Sequence, residues 1–282
     1  MTAVQTHHLR PVDNNVRNRL ALVTGASGGI GAACAAGLAA EGCDVVLHYS
    51  ANEHKAASLA AHLGGLYPSQ LFVTAQADFT DRESTRSLVP SILARPDLAS
   101  RHTALSVLVA NAGTGRRARD PDVIGEALWD DMMEVNTRSQ FVVTRACVEG
   151  MRAQCWGRVI LVGSIAARGG GINGCHYAAS KGALRSMGLN LAAVLAGEGI
   201  TVNIVAPAMI GETGMIPTPI GRTWDSNTDL QTLSETDVGL SIAAAVPVQR
   251  LGTPDEVANV VIMFAKTGYI TGQEVLIAGG LR

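Results

Sequence analysis

Tyr177 and Lys181 stand four residues apart, the spacing that places two side chains on one face of a helix. A free phenol ionises near pH ~10, too high for efficient proton transfer at neutrality. An ammonium about 4 Å away, at an effective dielectric near ~20, is worth about 4 kcal/mol. At about 1.4 kcal/mol per unit, that lowers the phenol by about three units. The pair is a candidate proton donor at neutral pH. Ser164, just after an apolar run, offers a hydroxyl that can hold a substrate oxygen beside the phenol. Singly, each has a bland explanation: a half-buried helix tyrosine, a solvated lysine, a strand-end cap.

A second constellation lies near the start. Leu20-Ala21-Leu22-Val23 runs into Thr24-Gly25-Ala26-Ser27-Gly28-Gly29-Ile30-Gly31 and then into an alanine-rich helical stretch. Glycines at a strand-to-helix turn let backbone N–H groups approach a pyrophosphate, and the helix start adds partial positive charge. The common GxGxxG spacing is not met, because Gly29 and Gly31 are followed by Cys34. The alternative is a glycine-rich turn of purely structural kind.

The elements that must carry these residues alternate in type. Strands are expected at 20–24, 45–47, 71–76, 105–110, 158–163, 201–206 and 274–278, and helices at 30–40, 51–63, 82–93, 126–152 and 176–196. Pro96 marks a connecting loop. The strands are continuous Val/Leu/Ile runs, as in strands buried on both faces. Strand and helix in alternation give an α/β, doubly wound, Rossmann-type fold: a seven-stranded parallel sheet with helices on both faces, in one domain over 19–282. Ligands of such folds bind beyond the carboxyl ends of the strands. Residues 1–18 are expected to form a flexible or loosely docked arm. Residues 207–247, with Trp224, form the one long irregular stretch and are expected to be a substrate flap.

Motifs in order at successive strand ends identify the chain as a member of the short-chain dehydrogenase/reductase family, most similar to its 3-oxoacyl-carrier-protein reductase and ketoreductase group. They are Thr24-Gly25-xxx-Gly29-x-Gly31, Asp78, Asn111-Ala112-Gly113, Asn136, Ser164 and Tyr177-Ala-Ala-Ser-Lys181, with Thr271-Gly272-Gln273-Glu274 and Ala278-Gly279-Gly280 at the end. The resemblance spans residues 19 to 282. It implies a catalytic set of Asn136, Ser164, Tyr177 and Lys181, with Asn136 on a water-mediated proton path to Lys181. It implies a nicotinamide dinucleotide held by Gly25, Ser27, Gly29, Ile30, Gly31, His48, Tyr49, Ser50, Asp78, Phe79, Asn111, Ala112, Gly113, Pro207 and Ile210, with Tyr177 and Lys181. The family usually has Pro-Gly, a bulky residue and a carboxamide-binding Thr after the sixth strand. Here Pro207-Ala208-Met209-Ile210-Gly211-Glu212-Thr213 brings the threonine one residue late.

An acid about 20 residues past the glycine turn would bind the ribose hydroxyl of NAD. Val45 to Asn52 has no carboxylate at the strand's end, and a carboxylate would repel a 2′-phosphate, so NADP(H) is favoured over NAD(H). Many NADP-using relatives carry Arg or Lys where this chain has Gly28. Here Ser27, His48, Ser50 and Asn52, with Lys55, are left to hold the phosphate. The expected function is NADP(H)-dependent reduction of a ketone, a 3-oxoacyl thioester or a secondary-metabolite ketone. Alternatives are a secondary-alcohol or polyol dehydrogenase, or a catalytically inactive nucleotide-sensing binding protein.

Composition narrows the partners. The net charge of −2 and scattered arginines exclude a nucleic-acid surface; Arg116, Arg117 and Arg119 read as a solvated loop. No apolar run reaches the ~18 residues of a membrane span. Charged residues are 16%, below the ~25% of an average soluble chain; with the apolar helix at 183–196 and the resemblance, this leads to an expected homotetramer. Five cysteines without CxxC spacing read as free thiols of a reducing compartment, hence the cytoplasm, with an organellar targeting role of the arm left open. The histidine spacing gives no catalytic metal. Cys34 is expected in helix packing, and Cys175 and His176 in packing or pocket lining.

Overall fold

The computed structural model describes residues 12–169, 172–221 and 230–281. Seven parallel strands make one sheet: β1 (Leu20–Val23), β2 (Asp44–Tyr49), β3 (Phe72–Gln76), β4 (Val107–Ala110), β5 (Gly157–Val162), β6 (Ile200–Pro207) and β7 (Glu274–Ile277), in the order β3-β2-β1-β4-β5-β6-β7. The helices are α1 (Gly29–Ala40), α2 (Glu53–Leu66), α3 (Arg82–Leu93), α4 (Pro96–Ala99), α5 (Glu126–Met133), α6 (Ser139–Gln154), α7 (Cys175–Leu195), α8 (Leu230–Thr236), α9 (Val238–Ala245) and α10 (Pro254–Lys266). The doubly wound parallel sheet is the fold expected from the apolar runs.

Those runs are continuous because each strand feeds two cores. Leu20 and Leu22 pack with Leu88, Val143 and Leu184 on one face; Ala21 and Val23 pack with Leu38, Val261 and Phe264 on the other. Successive side chains point to opposite faces, so helices α3, α6 and α7 cover one side and α1 and α10 the other. Burying each large apolar side chain stabilises by about 1.5–3 kcal/mol. Cys34 is fully buried in α1, as expected. No helix among the described residues is long and apolar enough to cross a membrane.

Three expectations need correction, and one helix was not expected. The helix at 126–152 is not one regular element: residues Glu134–Arg138 form a π-helical turn between α5 and α6. A π turn inserts an extra residue per turn, which re-aims the side chains of α6 relative to those of α5. Pro96 opens the short helix α4, where its missing N–H costs nothing at N1. The stretch 207–247 contains α8 and α9, the latter capped by Asp237 through Leu240 N–H; Trp224 lies outside the described residues. The helix α10 was not anticipated, although Thr253 and Glu256 form a capping box with Pro254 at N1.

Residues 13–18, expected within a loose arm, are strapped to the body; residues 1–11 lie outside the described residues. Val16 is buried. The carbonyl of Asp13 accepts from Trp156 Nε1 and from Arg158 Nη2, both at 3.0 Å. The guanidiniums of Arg19 and Arg158 lie 3.6 and 4.1 Å from the Trp156 ring. Burial pulls Arg158 down to about 10. If the indole is the strap's anchor, Trp156→Ala will lower unfolding free energy by about 3–5 kcal/mol; a urea titration showing a loss below about 1 kcal/mol would contradict it.

Candidate active site

In the sheet, β1 lies between β2 and β4, so the chain reverses its direction of travel across the sheet there, and the carboxyl ends of β1 and β4 flank a crevice. Thr24 stitches the two ends. Its Oγ1 accepts the N–H groups of Asn111 and Ala112, both at 2.9 Å, and its carbonyl accepts from Asn111 Nδ2. Over this crevice lies a cavity of about 320 Å³.

One wall is the glycine turn. Gly25, Ser27, Gly28, Gly29, Ile30 and Gly31 line the cavity, with Asn111, Ala112 and Gly113 beside them. Gly25 has φ +66°, a conformation that L side chains rarely adopt. A Cβ on Gly31 would collide with the Gly25 carbonyl oxygen, and one on Gly29 with that of Glu212. The N-cap Gly28 has no side chain to satisfy the first helical N–H groups, and no acidic residue occupies the first turn of α1. These orphan donors and the positive end of the helix dipole face the cavity, which fits the pyrophosphate of a dinucleotide.

The opposite wall carries the acid–base residues. Ser164, two residues past β5, is extended, and its Oγ accepts Ala166 N–H at 3.2 Å. Tyr177 and Lys181 stand one turn apart on α7, only 6% and 4% exposed, and both line the cavity with Ser164. Tyr177 and Ser164 face the same enclosed volume. Burial raises the Tyr177 pKa, and the neighbouring Ser164 hydroxyl opposes this. Burial also pushes Lys181 down to about 8; its Nζ donates to Val162 O at 2.9 Å and lies 5.9 Å from the Tyr177 ring centroid. The expectation of a phenol strongly acidified by its neighbour is therefore corrected. Removing water from the phenolate outweighs an ammonium turned toward a carbonyl.

Asn136 sits behind this wall. Fully buried in the π turn, it accepts Thr114 N–H at 2.8 Å and donates to Thr114 O and Ser180 Oγ. A Cβ on Gly113 would lie 3.1 Å from Asn136 Oδ1 and 3.4 Å from Lys181 Nζ, so both groups converge on that glycine.

Pro207 and Ile210 line the cavity as expected, and Thr213 does as well. The extra residue of this loop is accommodated at Glu212, which takes φ +59° and points to solvent. Five expected nucleotide contacts lie outside the cavity wall. Asp78 binds Thr80 N–H and hydroxyl at 2.9 Å, and Phe79 is buried against His48. Tyr49 is buried at the end of β2, and its pKa is raised by burial and by the Glu53 carboxylate. Ser50 is exposed beyond β2. His48 is corrected as a phosphate holder: it is buried, with both ring nitrogens bonded to backbone. Asn52 is exposed and caps α2, its Oδ1 accepting Lys55 N–H.

Unanticipated lining comes from Ile165, Ala166, Ile172, Asn173, Met209, Met215 and Ile216. Apolar residues outside regular periodicity left no signal for them. His176, expected in packing, is fully buried, its ring nitrogens without a hydrogen bond among the described residues. Behind Ser164 and Tyr177, Arg168 and Arg185 both reach Glu274 Oε2 on β7, at 2.9 and 2.8 Å. Burial pushes the Glu274 carboxyl up, but the two arginines bring it below its ordinary value.

The family model described as short chain dehydrogenase matches residues 19–219. Nodulation protein G of Azospirillum brasilense is 34% identical over 265 residues, covering 93% of this chain and 98% of that protein. The 3-oxoacyl-[acyl-carrier-protein] reductase FabG of Escherichia coli is 32% identical over 274 residues, covering 95% and 98%. Among solved structures, a dehydrogenase/reductase from Sinorhizobium meliloti is 28% identical with a TM-score of 0.78, covering 95% of this chain and 96% of that one. With the glycine turn and the buried Ser, Tyr and Lys on facing walls of one cavity, this chain belongs to the short chain dehydrogenase family.

Proposed function

We propose that the protein is an NADP(H)-dependent carbonyl reductase that converts a ketone, a 3-oxoacyl thioester or a secondary-metabolite ketone, to its alcohol in the cytoplasm. As a family member it is an NAD(P)(H)-dependent oxidoreductase acting between alcohol and carbonyl groups. The observation that carries the reading further is Tyr177, buried on the cavity wall that it shares with Ser164 and Lys181. A phenol whose pKa is raised holds its proton at neutral pH, which is the form that reduction requires.

The bound nicotinamide supplies the hydride for the carbonyl carbon. Ser164 Oγ and Tyr177 Oη hold the carbonyl oxygen, and Tyr177 donates its proton as negative charge develops there. Lys181, still protonated at pH 7, stabilises the phenolate that forms. Asn136 holds the Thr114 backbone and, through it, the loop facing Lys181. Ile165, Ile172, Met215 and Ile216 exclude water around the substrate, and the site strengthens these charge interactions by being dry. For NADP(H), the end of β2 and the residues after it, Val45 to Asn52, carry no carboxylate. Ser27, Ser50, Asn52 and Lys55 are left to meet a 2′-phosphate. The E. coli relative is named for 3-oxoacyl-carrier-protein reduction, which supports an acyl-thioester substrate.

Turnover on a panel of acyl thioesters and small ketones, with NADPH and NADH in parallel, tests the function. At least one carbonyl should turn over, with KM for NADPH well below that for NADH. Tyr177→Phe should reduce kcat by about 10²–10⁴-fold with nucleotide affinity nearly unchanged; full activity in that variant, or equal KM values, would count against the respective assignments.

The pH dependence comes from Lys181. Because burial lowers it to about 8, its charge is present below that pH and lost above it. The kcat of reduction should fall as pH rises through about 8; a flat profile to pH 9.5 would contradict the role. Exposed Trp129 and Phe141 beside α5–α6, and fully exposed Tyr269 before β7, support a homotetramer, which multi-angle light scattering would confirm by mass or refute by showing a monomer.

A further inference from the structure

His48, on β2 beside the glycine turn, is fully buried with both ring nitrogens in use. Nδ1 receives the Gly25 N–H at 3.0 Å, and Nε2 lies 3.1 Å from the carbonyl oxygen of Ala77. A backbone N–H only donates and a carbonyl only accepts, so the two bonds coexist only in a neutral ring with its proton on Nε2. Burial agrees, pulling the imidazole down to about 4. Phe79 stacks on the ring at 4.5 Å, 14° from parallel.

The backbone of the turn gives this arrangement a purpose. In the peptide joining Thr24 to Gly25, the carbonyl is held by Asn111 Nδ2 at 2.9 Å and the N–H by His48 Nδ1. In the next peptide, the Gly25 carbonyl again meets Asn111 Nδ2, at 3.2 Å, and the Ala26 N–H meets the His48 carbonyl oxygen at 2.8 Å. Two successive peptide planes are thus pinned between Asn111 on one side and His48 on the other. Gly25, at φ +66° and without a Cβ, supplies no restraint of its own. The restraint has to come from neighbours, and β2 provides its share at His48, the ring holding the Gly25 N–H and the backbone carbonyl the Ala26 N–H.

We propose that His48 is a positioning residue for nucleotide binding: it fixes the Gly25 peptide and so the direction in which the uncapped start of α1 presents its N–H groups to the dinucleotide phosphates. This rests on the reading that the turn holds NADP(H). His48 acts through Gly25 and does not itself touch the nucleotide.

Two substitutions separate the acceptor role from bulk. In His48→Asn the amide oxygen falls near the place of Nδ1 and can still accept the Gly25 N–H. In His48→Gln the amide reaches the place of Nε2 and leaves that N–H without a partner. The dissociation constant of NADPH, read from nicotinamide fluorescence, should stay within about threefold of wild type for Asn and rise tenfold or more for Gln, while the two variants melt at similar temperatures. Equal losses in both, or none in either, would make the ring a core filler and overturn the proposal. Wild-type protein that binds neither NADPH nor NADH would instead sink the nucleotide reading, and the proposal with it. If His48→Gln does not fold, the ¹⁵N spectrum of the wild-type imidazole decides: a neutral ring protonated at Nε2 supports the proposal, and a charged ring or the other tautomer refutes it.

Discussion

Thr24 is the stitch on which the rest of the site depends. A parallel sheet that reverses its winding leaves two strand ends parted, with backbone groups that need partners. One hydroxyl and one carbonyl at Thr24 satisfy three donors from Asn111 and Ala112. The cavity floor is therefore closed by hydrogen bonds rather than side-chain bulk, which leaves the space above it free. The glycines extend this economy: where a Cβ would strike a carbonyl, its absence lets the turn lie against its own start and against the 207–213 loop.

On the facing wall, burial sets the electrostatics. Removing water penalises whichever form carries charge, so it pushes a phenol up and an ammonium down. Tyr177 and Lys181 are both shifted for one reason, their shared enclosure. A proton passing to a substrate oxygen then leaves a phenolate near a cation in a medium that screens poorly. The pair is tuned less by its own contact, since the ammonium is turned toward Val162, than by the dry volume around both.

Much of this was legible in the chain. The continuous apolar runs pointed to the parallel sheet because a strand buried on both faces has no polar alternation, and the residues after each run supplied the glycine turn, Asn111, Ser164, Tyr177 and Lys181. What escaped depended on geometry that residue type does not encode. His48 is a titratable group near a phosphate-binding turn by sequence, and only the distances show that its nitrogens are consumed by Gly25 and Ala77. Asn136 was legible as a residue but not as part of a π turn, because helical periodicity over 126–152 carries no mark of an inserted residue. The helix at Pro254 did have its signal, the capping pair Thr253 and Glu256, but no functional motif drew attention to it. Ile172 and Met215 had none, being apolar residues on loops.

Glu274 belongs to the sheet's last strand and touches neither cavity wall, yet a single oxygen of its carboxylate is shared by a guanidinium from each of the two segments that bear Ser164 and Tyr177. Arg168 and Arg185 therefore share one acceptor atom, which can receive both at once through its two lone pairs. They form one energetic unit whose worth cannot be divided between its members, and an edge strand remote from the chemistry is party to the alignment of both.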